Sequence, residues 1–192
     1  MKIKFPFGQP ILSNSENYSI KKVLDSKILV HGPITSKFED LFKKFTKAKE
    51  AVSGAYIFRN FKENGGKKKT LVISGVQVLL NTIETIPELE AQGLDIKIVA
   101  VTSPELFEEL RETNPEKANA IFSEEDRGRS VCIHAGWKGF LYPFMLPSDH
   151  EERSLSIDNY LKSGSVDEVY ELAKLTSEDI KGKILSTMSS RA

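Results

Sequence analysis

From Thr70 onward, short runs of β-branched and aliphatic residues alternate with longer segments of helical period, and this alternation restricts the fold more than any other feature. Thr70-Leu71-Val72-Ile73-Ser74 reads as a strand buried on both faces, because a half-solvated strand would alternate apolar with polar. Val76 to Glu90 follows with Leu79, Ile83 and Ile86 at helical spacing, and Gly93 ends that helix. Asp95 to Val101 is the next strand, carrying Ile96, Ile98, Val99 and Val101. Ser103-Pro104-Glu105 and Asn114-Pro115 each start a helix, with proline where its missing N–H costs nothing. Ser130 to Ala135 gives a third strand and Leu155 to Ile157 a fourth. Ser165 with Glu168 has capping-box spacing, and Thr176 with Asp179 opens the last helix. Strands separated by helices of this length pair in parallel and carry their crossovers on both faces. The expected fold class is therefore α/β: a three-layer α/β/α arrangement around a mostly parallel sheet, with right-handed crossovers.

The first fifty residues follow a different pattern. Val23 and Leu24 stand three and four residues after Ile20, a short amphipathic helix, and Gly32-Pro33 then breaks the chain. Ser36 and Glu39 have capping-box spacing, and Phe38, Leu41, Phe42 and Phe45 fall on one helical face. The lysines between Lys37 and Lys49 leave the opposite face solvated. The chain thus divides into a helical N-terminal arm over residues 1–53 and a domain over residues 54–192. Lys62-Glu63-Asn64-Gly65-Gly66-Lys67-Lys68-Lys69 is expected to be a turn between a strand ending near Phe61 and the strand at Thr70.

Composition narrows the function classes. Lys+Arg and Asp+Glu both number 27, so the net charge is zero and no basic surface is available to gather a nucleic-acid backbone. No apolar run approaches the roughly 18–20 residues that span a bilayer, so no membrane partner is expected. Met1-Lys2-Ile3-Lys4-Phe5-Pro6 is not followed by the apolar stretch of a secretory signal. The single cysteine suits a reducing compartment, and the expected location is cytoplasmic. Without secretion, the sequon Asn17-Tyr18-Ser19 carries no meaning.

Several groupings look like chemistry and fail on inspection. A phosphate loop needs glycine five residues before its Gly-Lys pair and Ser or Thr after it, whereas Gly66-Lys67 has Phe61 and Lys68 at those positions. Ser74-Gly75-Val76 could offer amides to an anion where a strand meets a helix, and Ser103 stands at the same kind of junction, but the further glycines of a dinucleotide fingerprint are missing. Cys132 and His134 share one face of a strand, as a nucleophile and its base would, or half a zinc site. Zinc would need more ligands, and the other histidines are His31 and His150. Trp137, Phe140, Tyr142 and Phe144 are expected to form core or subunit interface. The carboxylate groups Glu108-Glu109 and Glu124-Glu125-Asp126 need no explanation beyond solubility. No residue is assigned as catalytic, cofactor-binding or metal-binding.

Longer patterns carry a family resemblance. Gly54-Ala55-Tyr56-Ile57 followed by Thr70 to Gly75 resembles the entry to the transketolase C-terminal domain, which also occurs in E1-type dehydrogenase components. Leu94 to Ser103 is similar to that family's second strand and the serine after it. Ile157-Asp158-Asn159-Tyr160-Leu161-Lys162-Ser163-Gly164, continuing to Leu172-Ala173-Lys174-Leu175-Thr176 and Ile180, is similar to its closing pattern. Leu161 and His134 depart from it, standing where many relatives have glycine and glutamate. The resemblance implies a domain that supports assembly and carries little chemistry. Full-length relatives hold thiamine diphosphate and a divalent metal in two preceding domains, which these residues do not resemble, so no cofactor is expected in this chain. The expected role is a non-catalytic assembly or regulatory domain, inactive alone, as a homodimer or beside a thiamine-dependent partner subunit. The alternatives are a small-molecule or anion-binding module, and a subunit of an active transketolase or sugar aminotransferase.

The arm resembles another family. Gly8-Gln9-Pro10, Val23-Leu24-Asp25-Ser26, Leu29-Val30-His31-Gly32-Pro33 and Phe38-Glu39 follow the opening of the DegT/DnrJ/EryC1 pyridoxal-phosphate sugar aminotransferases in order. Ala51-Val52-Ser53 is similar to the start of their next strand. The join falls at about Ser53-Gly54, which implies a gene fusion.

Overall fold

The computed structural model describes residues 14–25, 53–157 and 159–188. By its contacts the chain divides into two units, Met1–Lys49 and Glu50–Ala192. In the first, α1 (Asn14–Asp25) is the described element. The expected helix carrying Phe38, Leu41, Phe42 and Phe45 lies outside the described residues, as does His31.

The second unit runs β1 (Ala55–Arg59), β2 (Lys67–Ser74), α2 (Val76–Ala91), β3 (Leu94–Val101), α3 (Pro104–Thr113), α4 (Pro115–Ile121), α5 (Glu124–Gly128) and β4 (Ser130–Trp137). Two 3₁₀ segments, Lys138–Phe144 and Pro147–Asp149, lead to β5 (Ser154–Ile157), α6 (Val166–Ala173) and α7 (Ser177–Ser186). The sheet order is β1-β3-β2-β4-β5. β2, β3, β4 and β5 pair in parallel, and β1 closes one edge antiparallel to β3. The fold is the expected α/β class with a mostly parallel sheet.

Strand periodicity sorts the core into two layers. Leu71 and Ile73 of β2, Leu94, Ile96 and Ile98 of β3, and Val131 and Ile133 of β4 pack under α2 and α7, meeting Val78, Leu89, Ile180 and Ile184. The alternate residues Val72, Val99, Val101 and Cys132 meet Phe107 of α3, Ala118 and Ile121 of α4, and Phe144. Both faces of the central strands are therefore dry, which is why their sequences read as continuous apolar runs.

Two expectations need correction at the amino ends of the strands. β2 begins at Lys67, three residues before the expected Thr70, so the lysines 67–69 belong to the strand and not to the turn. Their backbone is already paired with β3, Lys67 opposite Leu94 and Lys69 opposite Ile96. The turn before them is held by Asp95, which is buried and accepts from the backbone N–H of Lys62 and of Glu63, each at 2.9 Å. The second correction concerns Asp126, read as a solubilising carboxylate. It is buried. Lys97 Nζ donates to its Oδ2 at 2.7 Å, Thr70 Oγ1 to its Oδ1 at 2.8 Å, and Ser123 N–H and Oγ–H to its Oδ2 at 3.0 Å. Burial opposes ionisation of this carboxyl, but the Lys97 ammonium, the Ser123 amide and the Thr70 hydroxyl hold it down to about 2. Its neighbours Glu124 and Glu125 are exposed and pair loosely with Arg127 and Arg129 at 3.6 and 3.5 Å, as expected of surface charge.

Candidate functional site

The carboxyl ends of β4 and β5 lie side by side because Ile133 pairs with Leu155 and Trp137 with Ile157. Beyond them the chain opens an apolar cleft of about 580 Å³, walled by Gly136, Trp137, Ile157, Tyr160, Leu161 and Lys162. In open α/β sheets this is the end where partners and ligands gather. Trp137 keeps 74% of its surface exposed and Tyr160 is fully exposed, an uncommon state for two large aromatic residues on one rim. The wall behind Trp137 is aromatic: its ring lies 6.4 Å from that of Tyr142, which stacks on His150 at 3.8 Å. Lys138 donates to Glu151 at 2.5 Å across the same corner.

Cys132 and His134 share one face of β4, as their spacing requires, and both are buried. They do not form a nucleophile–base pair. The Cys132 thiol points to the Leu141 carbonyl at 3.8 Å, and burial pushes its pKa well above the usual value. A thiol held protonated is a packing group, not a nucleophile. His134 Nδ1 accepts from the Gly136 N–H at 3.2 Å, which leaves the proton of a neutral ring on Nε2, and the ring sits 5.7 Å from that of Phe140. His134 thus fastens the irregular end of β4, where the register shifts between Ile133 and Trp137, that delivers Trp137 to the rim.

The remaining candidates are dispersed. Ser103 caps α3, its Oγ accepting from the Leu106 N–H at 3.2 Å and donating to Glu105 at 3.0 Å, so its hydroxyl is already engaged. Ser74 and Gly75 lie at the same end of the sheet, with Gly75 at φ 112° turning the chain into α2. Lys67 and Lys68, next to the glycine pair, reach the Met188 carbonyl at 2.7 Å and Glu63 at 2.8 Å. Of the four aromatic residues read as core or interface, Phe144 is core, stacking on Phe107 at 5.0 Å, Phe140 and Tyr142 are partly buried, and Trp137 is surface. Tyr160 was legible only as part of the closing pattern, and nothing in the sequence set it beside Trp137. Among the described residues no three His, Cys, Asp or Glu converge on a point that could hold a metal ion. Among the described residues the donor set therefore does not fit the metal of a diphosphate–metal pair. No helix among them is long and apolar enough to cross a membrane.

Comparison with known proteins supplies the family. A family model described as the transketolase-like TK C-terminal domain matches residues 54–176. Among solved structures, the transketolase from Campylobacter jejuni subsp. jejuni NCTC 11168 is 25% identical with a TM-score of 0.52, covering 71% of this chain and 19% of that one. The transketolase from Leishmania mexicana is 18% identical at a TM-score of 0.49, covering 72% and 18%. A split-gene transketolase, whose structure is described as an inactive β4 tetramer, is 14% identical at 0.48, covering 72% and 43%. No curated protein matches the chain. The chain thus spans about a fifth of the Campylobacter enzyme's length, and over residues 54–176 it belongs to the transketolase-like C-terminal domain family.

Proposed function

We propose that residues 54–192 are a non-catalytic assembly domain of a thiamine-diphosphate-dependent, transketolase-like enzyme, inactive by themselves and working beside polypeptide that carries the cofactor. The family match over residues 54–176 carries this reading. The cleft supports it: exposed Trp and Tyr beside apolar walls are the residue types that interface centres favour. On this reading the partner is a thiamine-dependent subunit or a second copy of the chain, and the location is cytoplasmic. Residues 1–53, on their resemblance to the DegT/DnrJ/EryC1 opening, are an arm fused at about Ser53-Gly54. Widespread relatives carrying the same junction would speak against a recent fusion.

The test is native purification of the chain from its source, identification of what accompanies it, and assay of thiamine-dependent ketol transfer. The expected result is no turnover by the chain alone and turnover in the fraction bound to a thiamine-diphosphate-binding subunit. Turnover by the purified chain alone would overturn the reading, as would a partner with no thiamine-dependent activity.

A further inference from the structure

On the face of the sheet away from α2 and α7, a second pocket of about 310 Å³ opens among α3, α4 and α5, lined by Arg111, Pro115, Ala118, Asn119, Phe122 and Glu124. Its distinctive group is the Arg111 guanidinium. The Phe107, Phe144 and Phe122 rings surround it with centroids 5.1, 5.9 and 6.0 Å away, so aromatic surface replaces water around the charge. Among the described residues only Nη1 is hydrogen-bonded, to Glu108 at 3.0 Å and weakly to the Pro143 carbonyl at 3.5 Å. Nη2 and Nε remain as a free fork on a side chain whose rotamer is set by packing, the geometry that suits bidentate recognition of an oxyanion.

The charges around the fork reinforce this. Arg127 of α5 lies close by, with a buried Nε that has no hydrogen-bond partner among the described residues and an Nη1 only 3.6 Å from the exposed Glu124. Burial, and after it the charge of Arg127, push the Arg111 guanidinium below its usual range, and Glu108 and Glu124 offset this only in part. Both glutamates are exposed surface side chains. Two guanidinium groups therefore share a corner in which Glu108 engages only one edge of Arg111 and Glu124 pairs loosely with Arg127, beside an apolar floor of Phe122 and Ala118.

We propose that this pocket binds a small organic oxyanion, its carboxylate or phosphate on the open edge of Arg111 and its apolar part against Phe122 and Ala118. The pocket is lined by α3, α4, α5 and the Phe122 link between the last two, so the proposal does not depend on the assembly reading. The test is an NMR titration of the ¹⁵N-labelled full chain with benzoate and, separately, with inorganic phosphate, at constant pH and ionic strength. Saturable shifts at Ala118, Asn119 and Phe122 are expected at millimolar concentrations with at least one probe. A response to benzoate alone makes the ligand class a carboxylate, and one to phosphate alone a phosphate. Arg111→Lys keeps the charge but loses the fork, and it should weaken the response about tenfold or more. Asn119→Asp, at an exposed rim position with no packing to lose, should weaken it through repulsion. Absence of saturable shifts with both probes, or equal affinity in Arg111→Lys, would overturn the proposal and leave Arg111 as a cover for the aromatic cluster.

Discussion

At the scale of single residues, the sequence misleads most where a charge is buried. Lys69 sits in a run of three lysines that looks like solvated turn, yet it is only 3% exposed. Its ammonium donates to the Thr187 carbonyl at 2.9 Å and to Thr187 Oγ1 at 3.3 Å, while Lys67 reaches the next carbonyl, that of Met188. Two lysines of β2 thus cap the carbonyl end of α7, where the helix dipole is negative. The arrangement carries a cost. Burial, then repulsion from Arg153 and Lys67, lowers Lys69 to about 8, and Asp149 and Glu152 offset this only partly. Between this value and the unfolded 10.5 the unfolded chain binds more protons, so folding stability must rise with pH across that window. From about pH 7 to about pH 10, Lys69 should contribute a gain of roughly 2–3 kcal/mol. Urea unfolding of wild type and Lys69→Met at both pH values isolates this term, because the other titrating groups are common to both proteins. Parallel pH dependences would show that the Lys69 charge is better solvated than its burial implies. Asp126 teaches the same lesson: the sequence reading passes over its capping box with Ser123, and its pairing with Lys97 joins two elements and leaves no local pattern.

At the scale of elements, most of the fold was legible. Apolar runs gave β2, β3 and β4, and cap spacings placed the starts of α3, α4, α6 and α7; Ser103, Asn114, Ser165 and Thr176 all cap as their positions imply. Legibility ended where pairing rather than local composition decides. β1 runs antiparallel on the edge of a parallel sheet because Gly54 turns the chain into position, its carbonyl accepting from the N–H groups of Thr102 and Ser103 at 2.9 and 3.0 Å. Gly54 has φ +72°, and a Cβ there would lie 2.3 Å from the Ser103 carbonyl oxygen and 2.4 Å from the Phe107 nitrogen, both backbone atoms that cannot swing away. Gly54→Ala should therefore cost about 3 kcal/mol or more, combining left-handed strain with overpacking. Gly93 also has a positive φ but faces open space, and Gly93→Ala should cost only about 1–2 kcal/mol. Chemical denaturation of both variants separates steric contact from backbone strain, and equal losses would mean that the strand entry yields to accommodate a methyl group.

At the scale of the whole molecule, the cleft could not be read in advance because its two rims are distant in sequence. Trp137 ends β4 and Tyr160 follows β5, and only the parallel pairing of those strands sets one beside the other. The sequence offers core or interface for Trp137; its exposure excludes core, and the proposed assembly role would give that apolar surface a cover. The same exposure makes a clean experiment possible. Removing a side chain that packs little should leave folding stability within about 0.5 kcal/mol of wild type. Removing an interface anchor should weaken association by about 2 kcal/mol or more per residue. On the proposed assembly reading, Trp137→Ala and Tyr160→Ala, measured singly by thermal unfolding and by titration against whatever thiamine-dependent subunit copurifies or against the chain itself, should therefore separate the two quantities: unchanged melting, weakened binding. Association unaffected by both substitutions would move the interface elsewhere on the domain. A large loss of stability with either would mean that the rim is structural, with Trp137 covering the Tyr142 and His150 stack behind it.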